Sequence, residues 1–103
     1  MKIGNIIKTE RKKRGWSQKQ LADRCSITVT YLSLIENDKK EPTVSLLRTL
    51  AENLNFPLPI LLFMSLDDND IPESKKEFFN IVKPSIDSML QNLISNEDVN
   101  PES

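Results

Sequence analysis

Residues 18–36 read QKQLADRCSITVTYLSLIE, and this stretch decides the fold. Ser17 stands just before it with Gln20 three residues on, the Ser-x-x-Gln capping box that opens a helix. Trp16 before the cap and Leu21 beyond it are placed to close as a hydrophobic staple. Leu21, Ala22 and Cys25 mark one apolar face at helical spacing. The pattern stops at Ser26 and Ile27, and Thr28 supplies the N-cap of a second helix that turns Leu32 and Ile35 inward. Val29, Thr30, Ser33, Leu34 and Asn37 fall on the opposite face. Short side chains on such a face fit close against a surface such as a DNA groove.

Two segments carry a family resemblance: residues 11–22, RKKRGWSQKQLA, and residues 27–37, ITVTYLSLIEN, followed by Pro42 and a leucine-rich helix over 46–54. Together they resemble the lambda-repressor-like (Xre) helix-turn-helix transcriptional regulators, over about residues 3–64. The sequence departs from that pattern at Ser26 and Asp38, where the family usually has glycine. Both positions often need positive φ, which Asp tolerates better than Ser. The resemblance also implies that Arg11 pairs with Glu36, tying the first helix to the end of the third.

Outward from the centre, Ile3, Ile6 and Ile7 open an amphipathic helix that runs to about Arg14 and ends at Gly15. Thr43 caps a fourth helix with Leu46, Leu47, Leu50, Ala51 and Leu54 at 3.6-residue spacing, ended by Asn55 and Pro57. Pro59 suits the first turn of a fifth, ILLFM over 60–64, whose nearly all-round apolar character offers surface to a partner subunit. The expected organisation is all-α: a five-helix domain over 1–66, a linker over 67–73, a helical dimerisation segment over 74–95 and a disordered polar tail over 96–103. Within the third part Phe79, Val82, Ile86, Met89 and Leu93 step as a heptad seam, widened by Phe78, Leu90 and Ile94. Pro84 predicts a kink or break there.

The net charge of −1 conceals an asymmetry. Residues 1–48 hold eleven Lys/Arg against five Asp/Glu, and residues 49–103 hold three against ten, so +6 is followed by −7. A polyanion meets the first half and is repelled by the second. No apolar run reaches 18 residues, the N-terminus does not read as a signal peptide, and one cysteine suits the reducing cytosol, so a cytoplasmic protein is expected.

Most chemistry is excluded by composition. Without histidine there is no His-based catalysis or His-ligated metal. Two glycines cannot build a phosphate loop. The acidic run at 67–70 lacks the glycine of a calcium loop, and its twelfth position is Phe78. Cys25 reads as a buried structural thiol. The reading is a non-enzyme with no metal and no cofactor.

Duplex DNA remains as the expected partner, without membrane involvement. The resemblance implies that the helix over 28–36 enters the major groove while the second helix crosses the backbone. Gln18, Thr28 and Tyr31 are the candidate phosphate ligands from these helices, joined by Lys19, Lys39 and Lys40. Base reading falls to Val29, Thr30, Ser33, Leu34 and Asn37. This face lacks the Arg and Gln of bidentate base contacts, whereas Val29 and Leu34 suit thymine methyls. The operator is therefore expected to contain important T·A pairs and some shape dependence. Three functions stay open: a dimeric repressor; the antitoxin of a toxin–antitoxin pair, with its acidic half on a protein partner; and a protein-interaction module that has lost DNA binding.

Overall fold

The computed structural model describes the backbone of residues 2–99 and the side chains of residues 2–94, and among these every regular element is helical. The chain divides into two compact units, Met1–Asp67 and Asp68–Ser103. The first holds α1 (Gly4–Lys13), α2 (Gln18–Arg24), α3 (Val29–Glu36), α4 (Val44–Asn53) and α5 (Leu58–Met64). None exceeds ten residues, a length at which an isolated helix is marginal in water, so caps and packing must hold them.

The caps are strong at the starts. Ser17 Oγ accepts from Gln20 N at 3.1 Å while Gln20 Oε1 accepts from Ser17 N at 2.7 Å, completing the capping box of α2. Thr28 Oγ1 accepts from Tyr31 N at 3.0 Å to open α3, and Thr43 Oγ1 accepts from Leu46 N at 3.1 Å to open α4.

The ends of α1 to α4 share one device. Each is followed by a left-handed residue: Gly15 (φ 71°), Ser26 (φ 58°), Asp38 (φ 57°) and Asn55 (φ 51°). In each case that residue's N–H returns to the carbonyl three back, and the next N–H returns to the carbonyl five back. For α2 these are Ser26 N to Asp23 O at 3.2 Å and Ile27 N to Ala22 O at 3.0 Å. Asn and Asp visit this conformation at modest cost, but Ser does not. Ser26→Gly is therefore expected to stabilise the unit by roughly 0.5–1 kcal/mol, the relief of a left-handed L-residue less the entropy glycine loses on folding. A urea midpoint at or below that of the parent chain refutes this.

The core of the first unit is formed by Ile3 and Ile7 of the α1 region, Leu21 and Ala22 of α2, Leu32 and Ile35 of α3, Leu46, Leu47, Leu50 and Ala51 of α4, and Leu54, Phe56 and Leu61. α3 packs on both α1 and α2, and α4 packs on α5. α5 begins at Leu58, two residues earlier than the sequence suggests, with Pro57 as its cap. Its remaining apolar side chains are half-buried, so it offers less free surface than its composition implies.

The second unit has two short 3-10 turns, Asp68–Asp70 and Glu73–Lys75, and then α6 (Lys76–Val99). Of the kink or break expected at Pro84, the break is absent: α6 continues through it. The Asn80 carbonyl, which loses its partner there, lies on an exposed residue where water can replace it. Lys83 and Asp87 pair across the same turn. The helix also runs to Val99, into the stretch read as a disordered tail; residues 100–103 of that stretch lie outside the described residues.

The heptad stripe does not coincide with the buried face of α6. Phe79 is buried and Val82 and Ile86 half-buried, but Met89 and Leu93 are exposed, while Leu90 is half-buried and Ile94 buried. On a straight 3.6-residue helix Leu90 and Ile94 lie to one side of Phe79, and Met89 and Leu93 to the other.

Candidate nucleic-acid interface

The candidate site is the outer face of α3, and the buried polar network beneath it fixes its position. The Arg11 guanidinium grips Glu36 with two parallel bonds, Nε to Oε2 at 2.7 Å and Nη2 to Oε1 at 3.0 Å. Both side chains are nearly sealed, at 8% and 1% exposure. Arg11 Nη1 donates to Trp16 O at 2.8 Å, and Gln18 Nε2 donates to Glu36 Oε1 at 3.0 Å. One carboxylate at the end of α3 thus holds the last turn of α1 and the first residue of α2. A bidentate, charge-assisted fork fixes orientation as well as distance.

The other end of α1 is held as closely. Gly4 lies so near α3 that an added Cβ would sit 2.4 Å from Glu36 O and 2.5 Å from Ile35 O. Asp38 Oδ1 accepts from Gly4 N at 3.0 Å, placing a carboxylate at the positive end of the α1 dipole. Arg14 bonds buried Glu10 at 3.0 Å and also reaches the Leu54 carbonyl at the end of α4.

Above this scaffold α3 turns Leu32, Ile35 and Glu36 inward. Val29, Thr30 and Asn37 are exposed, with Ser33, Leu34 and Tyr31 half-buried. Asn37 Nδ2 is folded back on its own helix, 2.8 Å from Ser33 O and 3.4 Å from Ser33 Oγ. The outer face therefore has a self-bonded polar centre, Ser33 with Asn37, flanked by Val29 on one edge and by Thr30 and Leu34 on the other.

Of the candidate phosphate ligands, Gln18 has its amide donor engaged by Glu36. Lys19 is exposed and meets Asp23 at 3.2 Å, a solvated pair that contributes little and is easily exchanged. Lys39 and Lys40 follow α3 directly, both exposed, with their amides on Leu34 O at 2.8 and 3.3 Å. Arg24 is occupied otherwise, its guanidinium 4.1 Å from the Trp16 ring centroid. Burial pushes the Cys25 thiol up, which disfavours the reactive thiolate.

Several of these partners escape a reading of the sequence alone. Glu10 and Arg14 carry an i, i+4 signal. Gln18 to Glu36, Asp38 to Gly4 and Arg14 to Leu54 link residues far apart and leave no local pattern.

The model of the family described as helix-turn-helix matches residues 7–61, more than half of the chain, from within α1 to within α5. The chain belongs to the lambda-repressor-like helix-turn-helix family. Its helix-turn-helix domain is similar to transcriptional regulator ClgR of Mycobacterium tuberculosis, 30% identical over 60 residues, which are 58% of this chain and 54% of ClgR. It is also similar to the immunity repressor protein of Bacillus phage phi105, 34% identical over 62 residues, 60% of this chain and 43% of that protein. The ImmF control region 10 kDa protein of the same phage is 35% identical over 60 residues, 58% of this chain and 67% of that protein. The chain spans about half the length of ClgR and of the immunity repressor. No solved structure gives a significant match. Proteins of this helix-turn-helix family are DNA-binding and non-enzymatic. Among the described residues, no helix is long and apolar enough to cross a membrane.

Proposed function

We propose that this chain is a cytoplasmic, sequence-specific regulator of transcription that acts as a dimeric repressor on a two-fold operator, with α3 in the major groove. The observation that carries the reading is the division of α3. Its inner side is locked by Glu36 and the core, and its outer side presents short side chains in a unit of suitable charge. Residues 1–67 hold eleven Lys/Arg and seven Asp/Glu, leaving +4, while residues 68–103 hold three and eight, leaving −5. The names of the relatives, a transcriptional regulator and an immunity repressor, support regulation and repression.

In this reading Lys19, Lys39 and Lys40 neutralise phosphates, assisted by the Thr28 and Tyr31 hydroxyls and by the backbone N–H groups at the start of α2. Gln18 contributes through its backbone, because its side chain serves the scaffold. Val29, Thr30, Ser33 and Leu34 meet the base edges. The second copy is recruited by α6, where Phe78, Ile81, Met89 and Leu93 are each more than half exposed. Two copies match two half-sites about 34–36 Å apart.

Titration of a promoter fragment and of random duplex DNA across a salt series tests the reading. Lys39→Ala is expected to weaken binding to both DNAs and to reduce the salt slope by about one. Thr30→Ala is expected to weaken the preferred site more than random DNA. Sedimentation of the free protein at micromolar concentration is expected to show a dimer. A strict monomer refutes the dimeric form, and binding without salt dependence refutes the DNA reading.

A further inference from the structure

The polar groups around the outer face of α3 are largely spent within the protein. The Asn37 amide is turned onto Ser33. The Gln18 amide is bound to Glu36, and the Thr28 hydroxyl accepts the Tyr31 N–H. No arginine, lysine or glutamine lies between Val29 and Asn37. What remains facing outward is the exposed Thr30 hydroxyl and two apolar side chains: Val29, 40% exposed at the first position of α3, and half-buried Leu34 across the face. A helix with these groups has little means of reading donor and acceptor patterns. In the major groove the apolar feature that identifies a base is the C5-methyl of thymine, and 5-methylcytosine places a methyl at the same position.

Building on the DNA-binding reading above, we propose that this protein reads pyrimidine C5-methyl groups in the major groove through Val29 and Leu34. Selectivity then lies in the methyl itself, so that 5-methylcytosine serves where thymine does and uracil does not. The +4 charge of the surrounding unit supplies attraction to the duplex without base preference.

The experiment begins with a duplex selected from a random library by the full chain. Each thymine is then replaced singly by uracil, which removes one methyl and leaves base pairing unchanged. Affinity is expected to fall about fourfold at each methyl that is read, the loss for one buried carbon. At those positions 5-methylcytosine paired with guanine is expected to bind more tightly than unmodified cytosine. The uracil penalty is expected to disappear in Val29→Ala or Leu34→Ala at the positions each contacts. Equal affinity for the thymine and uracil duplexes, with preference over random DNA retained, overturns methyl reading and leaves DNA recognition standing. Failure to select any preferred duplex overturns both.

Discussion

Arg11→Ala removes about 3–5 kcal/mol of stability from the unit over residues 1–67, whereas Lys12→Ala beside it changes stability by no more than about 0.5 kcal/mol. The contrast is expected because Lys12 is exposed while Arg11 is buried and donates to three acceptor atoms, the two Glu36 oxygens and Trp16 O, with Gln18 bonded to the same carboxylate. Truncating Arg11 leaves the Glu36 charge sealed in the interior without its cation. A domain of this size holds roughly 3–10 kcal/mol in total, so the variant is close to unfolding at room temperature. Replacing both partners with apolar residues, Arg11→Met with Glu36→Leu, is expected to cost less than either truncation alone, since no buried charge is then stranded. Urea melts followed by circular dichroism decide the matter. Equal midpoints for Arg11→Ala and Lys12→Ala would sink the claim that the pair anchors α3.

Gly4→Ala is expected to cost about 2–3 kcal/mol, although alanine is the better helix former by ~1 kcal/mol. The new Cβ would meet the Glu36 and Ile35 carbonyls at 2.4 and 2.5 Å, and these are backbone atoms that cannot swing aside. α1 must back away from α3, which stretches the Asp38 bond to Gly4 N and strains the Arg11 fork two turns on. Asn5→Ala, on an exposed neighbour in the same helix, is the control and is expected to be nearly neutral. A Gly4→Ala protein as stable as the control would mean that the two helices yield easily at this contact.

The parts of this fold legible in the sequence are those encoded within a few residues. Ser17 with Gln20, Thr28 and Thr43 announce three helix starts through short-range side-chain bonds to backbone N–H groups. Gly15 and Asn55 announce two of the ends, and the left-handed conformations of Ser26 and Asp38 were anticipated from where the family keeps glycine. The outer face of α3 follows from its period, since Leu32 and Ile35 fix which side is inward. Contacts that close through space were not legible. Gly4 reads as an ordinary, rather poor helix residue until the carbonyls of α3 lie against it. Arg14 reads as one more surface cation, yet it closes the end of α4 at Leu54. In α6 two apolar faces overlap at heptad spacing, and only the full helical repeat separates buried Phe79 and Ile94 from exposed Met89 and Leu93.

The division of α3 has a consequence for how such a protein changes over time. Its fold-bearing residues, Leu32, Ile35 and Glu36, are buried, whereas Val29, Thr30 and Asn37 are exposed and Ser33 and Leu34 half-buried. Exposed substitutions away from caps and buried networks usually shift stability by no more than about 0.5 kcal/mol. Under the function proposed above, target preference can therefore drift while the scaffold is kept, and a duplicated copy can acquire a new set of binding sites in a few steps. The same separation makes the eight-residue helix a practical place to install a chosen preference in the laboratory, with Thr28 and Glu36 left untouched as its two fixed ends.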